Sequence, residues 1–302
     1  MDCCSKQKRP LKRSSEFFWK FSTFLLLGFS VLLLLFDMGG FLELSPEKGV
    51  APLVQAEEVL PSDGIELTMV WGDLGKQLID AGVINAEKFE ALYVQRGGLS
   101  DEQKSLLYGM DNGSIRVDAA NANFVLNLFW ALGLANDNVI LTEGPMQSYG
   151  GDPSRFASTG GWSLSSGMPM DHYSMHKLIV LTPKQQELVE SVSKNIFRPC
   201  CGNSTYFPDC NHGMAMLGFL ELLASQGASE SEMYDQALAL NSFWFPDTYL
   251  NIAQYFQNQG TQWNKVSAKE ALGVEVSSGS GYQNVLTSVQ PRSGGSGGGC
   301  GV

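Results

Sequence analysis

Hydrophobic positions fall into three regimes along the chain. The first is an unbroken run, FFWKFSTFLLLGFSVLLLLF, from Phe17 to Phe36. About 20 apolar residues is the length of an α-helix crossing a hydrocarbon core. Lys20 stands near its start and can snorkel, and Asp37 closes the far side. The second regime, from Leu67 to about residue 276, is periodic. Leu74, Leu78, Ile79 and Val83 share one helical face. Asn85 is placed to cap AEKFEALYVQ, which turns Phe89, Leu92 and Tyr93 inward. Ser100 with Gln103 spells a capping box for SDEQKSLLYG. Ala122–Ala135, ANFVLNLFWALGLA, is the most apolar stretch of the body and predicts a core helix. Gly82, Gly97, Gly98, Gly109 and Gly133 are expected to punctuate this region.

Residues 136–170 lose the period. Gly, Ser and Pro dominate, so a long loop of the kind that often carries function is expected. The period returns at Thr182-Pro183-Lys184-Gln185, which combines an N-cap, a first-turn proline and a capping-box glutamine. That helix is expected to run to Phe197. Asp209 then reads as the N-cap of CNHGMAMLGFLELLASQ, with Cys210 and His212 in the first turn and Gly227 as the stop. Ser229 with Glu232 opens SEMYDQALAL, and Pro246 opens a last aromatic-rich helix. No strand pattern is as strong, and no internal repeat is visible. The third regime, 277–302, is a Gly/Ser tail.

The expected fold class is therefore mainly α. A basic segment (1–16), a transmembrane helix (17–36) and a linker (37–66) precede a helical domain (67–276), with 67–135 and 168–260 as candidate subdomains and 277–302 as a flexible tail. Charge sharpens this. The first 20 residues hold six basic and two acidic side chains, a net of +4, whereas the whole chain of 302 residues is −11. Basic residues before the span and acidic ones after it place the N-terminus inside and the body outside the cytoplasm. A cleaved signal peptide, cut after Ala56, is the rival reading and gives the same compartment. The acidic body argues against a nucleic-acid partner. Cys3 and Cys4, before the span, are candidates for palmitoylation or simple reduced thiols.

The chemistry concentrates in RPCCGNSTYFPDCNHG, Arg198–Gly213, which holds three of six cysteines and one of three histidines. A disulfide is awkward: Cys200 and Cys201 are adjacent, pairing either with Cys210 strands the other, and Cys300 sits on the tail. A metal uses the residues better, since thiolate and imidazole suit zinc and copper. Cys200, Cys201, Cys210 and His212 form C-C-x8-C-x-H, with the last two at a helix start that favours thiolate. A thiol-exchange reading uses the same chemistry without a C-x-x-C. The other two histidines lie in MPMDHYSMH, with Met168, Met170 and Met175. If that segment is helical, His172 and His176 share a face. Met214 and Met216 extend the theme, and thioether with imidazole favours copper over zinc. The sharpest expectation is one site joining His172, His176 and Met175 to Cys200, Cys201, Cys210 and His212. No P-loop, G-x-S-x-G or dinucleotide fingerprint is present. A Cys201 nucleophile with His172 or His212 lacks an oxyanion hole, so no catalytic residue is named.

Pro199-Cys200-Cys201-Gly202, Asp209-Cys210, His212-Gly213 and Gly227–Glu232 together resemble the PCYCGC-motif proteins of bacterial envelopes. The helix–Gly–capping-box part is also similar to the helical domain of CcmH-type cytochrome c maturation proteins. The likeness covers about 45 residues. In this chain the two leading cysteines are adjacent and C-x-x-C is absent. The first resemblance implies metal binding in a bacterial envelope, and the second implies thiol chemistry. The reading that follows is a membrane-anchored extracytoplasmic metal-binding protein, copper before zinc. The alternatives are a thiol–disulfide or haem-maturation helper, and a structural envelope protein held by zinc or a disulfide.

Overall fold

The computed structural model describes residues 52–148 and 151–289. Among them, nine helices of six residues or more carry the fold. They are α1 (Leu74–Asp80), α2 (Ala86–Ala91), α3 (Asp101–Tyr108), α4 (Ala122–Ala135), α5 (Pro183–Ser193), α6 (Asn211–Ser225), α7 (Glu230–Trp244), α8 (Pro246–Asn258) and α9 (Gly279–Ser288). The fold is mainly helical. One two-stranded antiparallel ladder, β1 (Ile65–Glu66) with β2 (Arg116–Val117), pairs Ile65 with Val117. The predicted span 17–36 lies outside the described residues, as do Cys3, Cys4 and Cys300. Among the described residues no helix is long and apolar enough to cross a membrane.

Four of the five side-chain caps read from the sequence are made. Asn85 accepts from the Lys88 amide, and Ser100–Gln103, Thr182–Gln185 and Ser229–Glu232 are reciprocal capping boxes. Helix α5 stops at Ser193, four residues short of the expected Phe197, and the chain turns there toward the cysteines.

The core is built on α4 against α6. Nearly every side chain on both helices is buried, so packing rather than one apolar stripe orients them. Gly133 was expected to break a helix, but it lies inside α4 at the crossing. A Cβ there would stand 2.0 Å from the Met214 carbonyl oxygen, and one on Gly218 would stand 2.5 Å from the Gly133 nitrogen. Two glycines thus let the backbones touch, and Phe129 meets Phe219 edge-on at 5.0 Å beside them. Helices α5 and α7 flank the pair, and α8 and α9 close the far side. Residues 67–135 and 168–260 therefore share one core.

Three boundaries differ from expectation. Residues 52–66 are docked, not a free linker: Val54 and Val59 are buried, and the Val54 amide donates to Gln254 Oε1 at 2.9 Å. Residues 277–289 are not tail. Ser277 and Val285 are buried, and α9 packs on α8, with Asn251 Nδ2 donating to Tyr282 Oη at 2.9 Å. Small residues hid this segment, because its packing depends on close backbone approach rather than on apolar period. The long loop holds short helices at Val139–Thr142 and Pro145–Ser148. Trp162 anchors it, fully buried, with Nε1 donating to the Val83 carbonyl at 2.8 Å.

Candidate metal centre

The cysteine loop hangs between α5 and α6. The Phe197 amide donates to the Leu272 carbonyl at 2.8 Å, and the Thr205 amide closes the loop onto Ile196 at 2.8 Å. Cys210 is the N-cap of α6 and makes no side-chain capping bond. Asp209, expected to cap, is drawn away by a stronger partner. Its Oδ1 accepts from Arg198 Nη2 at 2.8 Å and its Oδ2 from Asn203 Nδ2 at 2.8 Å.

This loop brings Cys200, Cys201 and Cys210 together, with their sulfurs all within 4.8 Å of one another. Cys200 Sγ and Cys210 Sγ are 3.5 Å apart. The described residues contain no other group of three or more His, Cys, Asp or Glu ligand atoms so placed.

Arg198 organises the cluster, and the sequence reading passed it over. Its side chain is almost wholly buried, which requires that its charge be paired. Nε donates to Cys210 Sγ at 3.0 Å, Nη1 to the Asn203 carbonyl at 3.1 Å, and Nη2 to the Phe207 carbonyl at 3.2 Å as well as to Asp209. The guanidinium lies flat on the first turn of α6, where residue 213 has no side chain. A Cβ on Gly213 would fall 2.4 Å from Nη2 and 2.5 Å from Cζ. The signal was present in the string, as an arginine just before the first cysteines and a glycine just after the histidine.

Hydrogen bonds from Cys200 and Cys201 hold the Cys210 pKa well below the ordinary thiol value; burial opposes this, and Arg198 and His212 add to it. Cys200 is pushed up by its bonds to Cys201 and Cys210 and by burial. Cys201 is lowered by Cys200, but its bond to Cys210 and its burial outweigh that and carry it to about 11. Burial would lower the Arg198 pKa, and the surrounding sulfurs more than reverse it, so the guanidinium stays charged. Cys210 Sγ accepts from Arg198 Nε and lies 3.5 Å from Cys200 Sγ, while Cys201 Sγ is turned toward the Asn203 carbonyl at 3.8 Å and Asp209 Oδ1 at 3.7 Å.

The remaining predicted ligands are placed apart. His212 is buried beside Cys210 with its ring 4.4 Å from that of Phe245, and its Nδ1 has no hydrogen-bond partner. It does not enter the mutual set of ligand atoms. His172 and His176 face each other, Nδ1 to Nε2 at 3.1 Å, with rings 5.3 Å apart. The helix expected to pair them is absent. A 3₁₀ turn, Pro169–Asp171, ends there, and Ser174 at φ 55° folds the chain back instead. No histidine nitrogen lies within 4.8 Å of all three sulfurs, and His172 and His176 bond to each other, so the single joined site is not what forms: the His172–His176 pair stands as a cluster of its own. Met175, next to His176 in the chain, is 67% exposed.

The fold and site define a mainly α-helical protein with an arginine-held three-cysteine cluster at the start of a core helix. Compared with family models, with curated proteins and with solved structures, the chain gives no significant match.

Proposed function

We propose that the chain is a membrane-tethered, extracytoplasmic protein that binds a soft metal ion through Cys200, Cys201 and Cys210, with Cu(I) before Zn(II). The observation that carries this is the three sulfurs within 4.8 Å, one of them accepting a hydrogen bond from a buried arginine. Soft thiolates select soft ions, and three sulfurs satisfy Cu(I), whereas zinc takes four ligands. Cys200 and Cys201 are half-buried, so an ion reaches them from solvent. Arg198 offsets one of the three thiolate charges. The tether is the span 17–36, and the acidic body fits no nucleic-acid partner.

The test is anaerobic titration of the reduced full chain with Cu(I) against a competing chelator. The expected result is a thiolate-to-copper ultraviolet band that saturates and is lost in Cys210→Ser. Absence of the band overturns the reading.

A second reading rests on one distance. The 3.5 Å between Cys200 Sγ and Cys210 Sγ is short enough for a disulfide to form after a small rotation, which would make the pair a thiol–disulfide exchanger. Rapid, reversible Cys200–Cys210 bridging with a dithiol substrate, and no metal uptake, would favour it.

A further inference from the structure

The His172–His176 pair is not explained by the cysteine site. Its hydrogen bonds fix both tautomers. His172 Nε2 lies 2.9 Å from the Ser166 carbonyl oxygen, which only accepts, so Nε2 carries the proton. His172 Nδ1 is then the acceptor, and His176 Nε2–H donates to it at 3.1 Å. That leaves the lone pair on His176 Nδ1. No partner meets this atom among the described residues, and it is not among the buried unpaired atoms, so solvent reaches it.

The His172 ring is held by its surroundings: it is 7% exposed and both of its ring nitrogens are hydrogen-bonded. The turn itself does not need the imidazoles. Ser174 N donates to Leu134 O at 2.8 Å, His176 N to Ala135 O at 2.9 Å, and Asp137 N to His176 O at 2.8 Å. A carbonyl–His–His relay ending in an aimed, unpaired ring nitrogen is the support that metal-ligating imidazoles receive from the groups behind them. Two thioethers lie in the same segment, Met168 and Met175, 66% and 67% exposed.

We propose that His176 Nδ1 and the Met175 thioether form a second, separate binding site for Cu(I), with His172 as a positioning residue rather than a ligand. Imidazole and thioether are neutral donors that suit this soft ion at low coordination number. The inference shares only its ion with the proposed function and does not depend on the cysteines.

The experiment uses the full chain in detergent with Ag(I), a redox-inert stand-in for Cu(I), and reads the imidazole ¹⁵N shifts. The expected result is movement of His176 Nδ1 on addition of Ag(I), with its Nε2 still protonated. His176→Ala should remove one equivalent of bound ion while leaving the thiolate–metal band intact. His172→Ala should weaken this site about 10- to 100-fold without changing stoichiometry at saturation, and Met175→Leu should weaken it as well. An unmoved Nδ1 at saturating Ag(I), or full stoichiometry in His176→Ala, overturns the inference. These shifts report whether or not the cysteines bind, so failure of one site is distinguishable from failure of the other.

Discussion

Alanine at position 213 tests the site through a sign. In an ordinary helix, Gly→Ala stabilises by about 1 kcal/mol. Here the new Cβ would sit 2.4 Å from Arg198 Nη2, 2.5 Å from Cζ and 3.0 Å from Nε. The guanidinium is the end of a flexible side chain, but it is buried and tied at four points, so it cannot swing clear without losing partners. Displacing Nε and Nη2 breaks the bonds to Cys210, Phe207 and Asp209. Each charge-assisted bond is worth about 1.5–3 kcal/mol, and a buried charge that has lost its partners costs more. Partial relaxation leaves a net loss of about 2–4 kcal/mol after the helix gain is subtracted. The assay is denaturant unfolding of reduced protein, paired with the pH dependence of Cys210 thiolate absorbance. Gly213→Ala should destabilise and raise the Cys210 pKa. In an Arg198→Ala background the same change should become neutral or stabilising. Stabilisation by Gly213→Ala in the wild-type background would refute the account of Arg198 as the clamp on the thiolate.

Other expectations follow from buried groups away from the cysteines. Glu221 is fully buried, accepting from Asn136 Nδ2 at 2.9 Å and Asn138 Nδ2 at 2.5 Å. Burial pushes its pKa up to about 8, against the pull of the two asparagines, with Asp137 adding a like charge. The folded pKa is above the unfolded one, so the contribution is fully present below about pH 4 and is lost as pH rises through about 8. The loss is a few kcal/mol at most. Unfolding free energies at pH 5 and pH 8 should show it in the wild type and not in Glu221→Gln, and an equal fall in both would contradict it. Gly133→Ala should cost about 3 kcal/mol or prevent folding, because its Cβ meets the Met214 backbone rather than a side chain that can yield; thermal melts decide this. Gly279→Val should loosen the cysteine loop. The Gly279 amide donates to the Cys201 carbonyl at 2.8 Å, and a Cβ there would already stand 3.2 Å from that oxygen. Faster alkylation of Cys201 is the expected readout, and an unchanged rate would show that the 277–279 segment does not hold the loop.

What could be read in advance divides by the range of the interaction. Capping boxes join residues three apart, so Ser100–Gln103, Thr182–Gln185 and Ser229–Glu232 were written in the string and are made as written. The helical class followed from the same local logic. Glycine was the weak point, because its meaning depends on what approaches it. Gly133 looked like a break and is a helix crossing, while Gly279 looked like tail and lies against the Cys201 carbonyl. The site was legible as three sulfurs, since Cys200, Cys201 and Cys210 lie within eleven positions of one another. Its electrostatics were not. An arginine beside cysteines reads as surface charge until Gly213 is seen to give it a seat on α6, and Asp209 reads as a cap until Arg198 is seen to draw it off. The histidines show the converse. A helix was invoked to pair His172 with His176; a left-handed Ser174 pairs them without one. Spacing of i,i+4 permits two side chains to meet by more than one backbone path. The two clusters stay apart because the His176 backbone is bonded at Ala135 and Asp137, beside the C-terminus of α4, whereas Cys210 sits at the N-terminus of α6. Which segments share a site is therefore decided by helix packing, and that information lies in the glycine contacts between α4 and α6 rather than in either ligand-rich stretch.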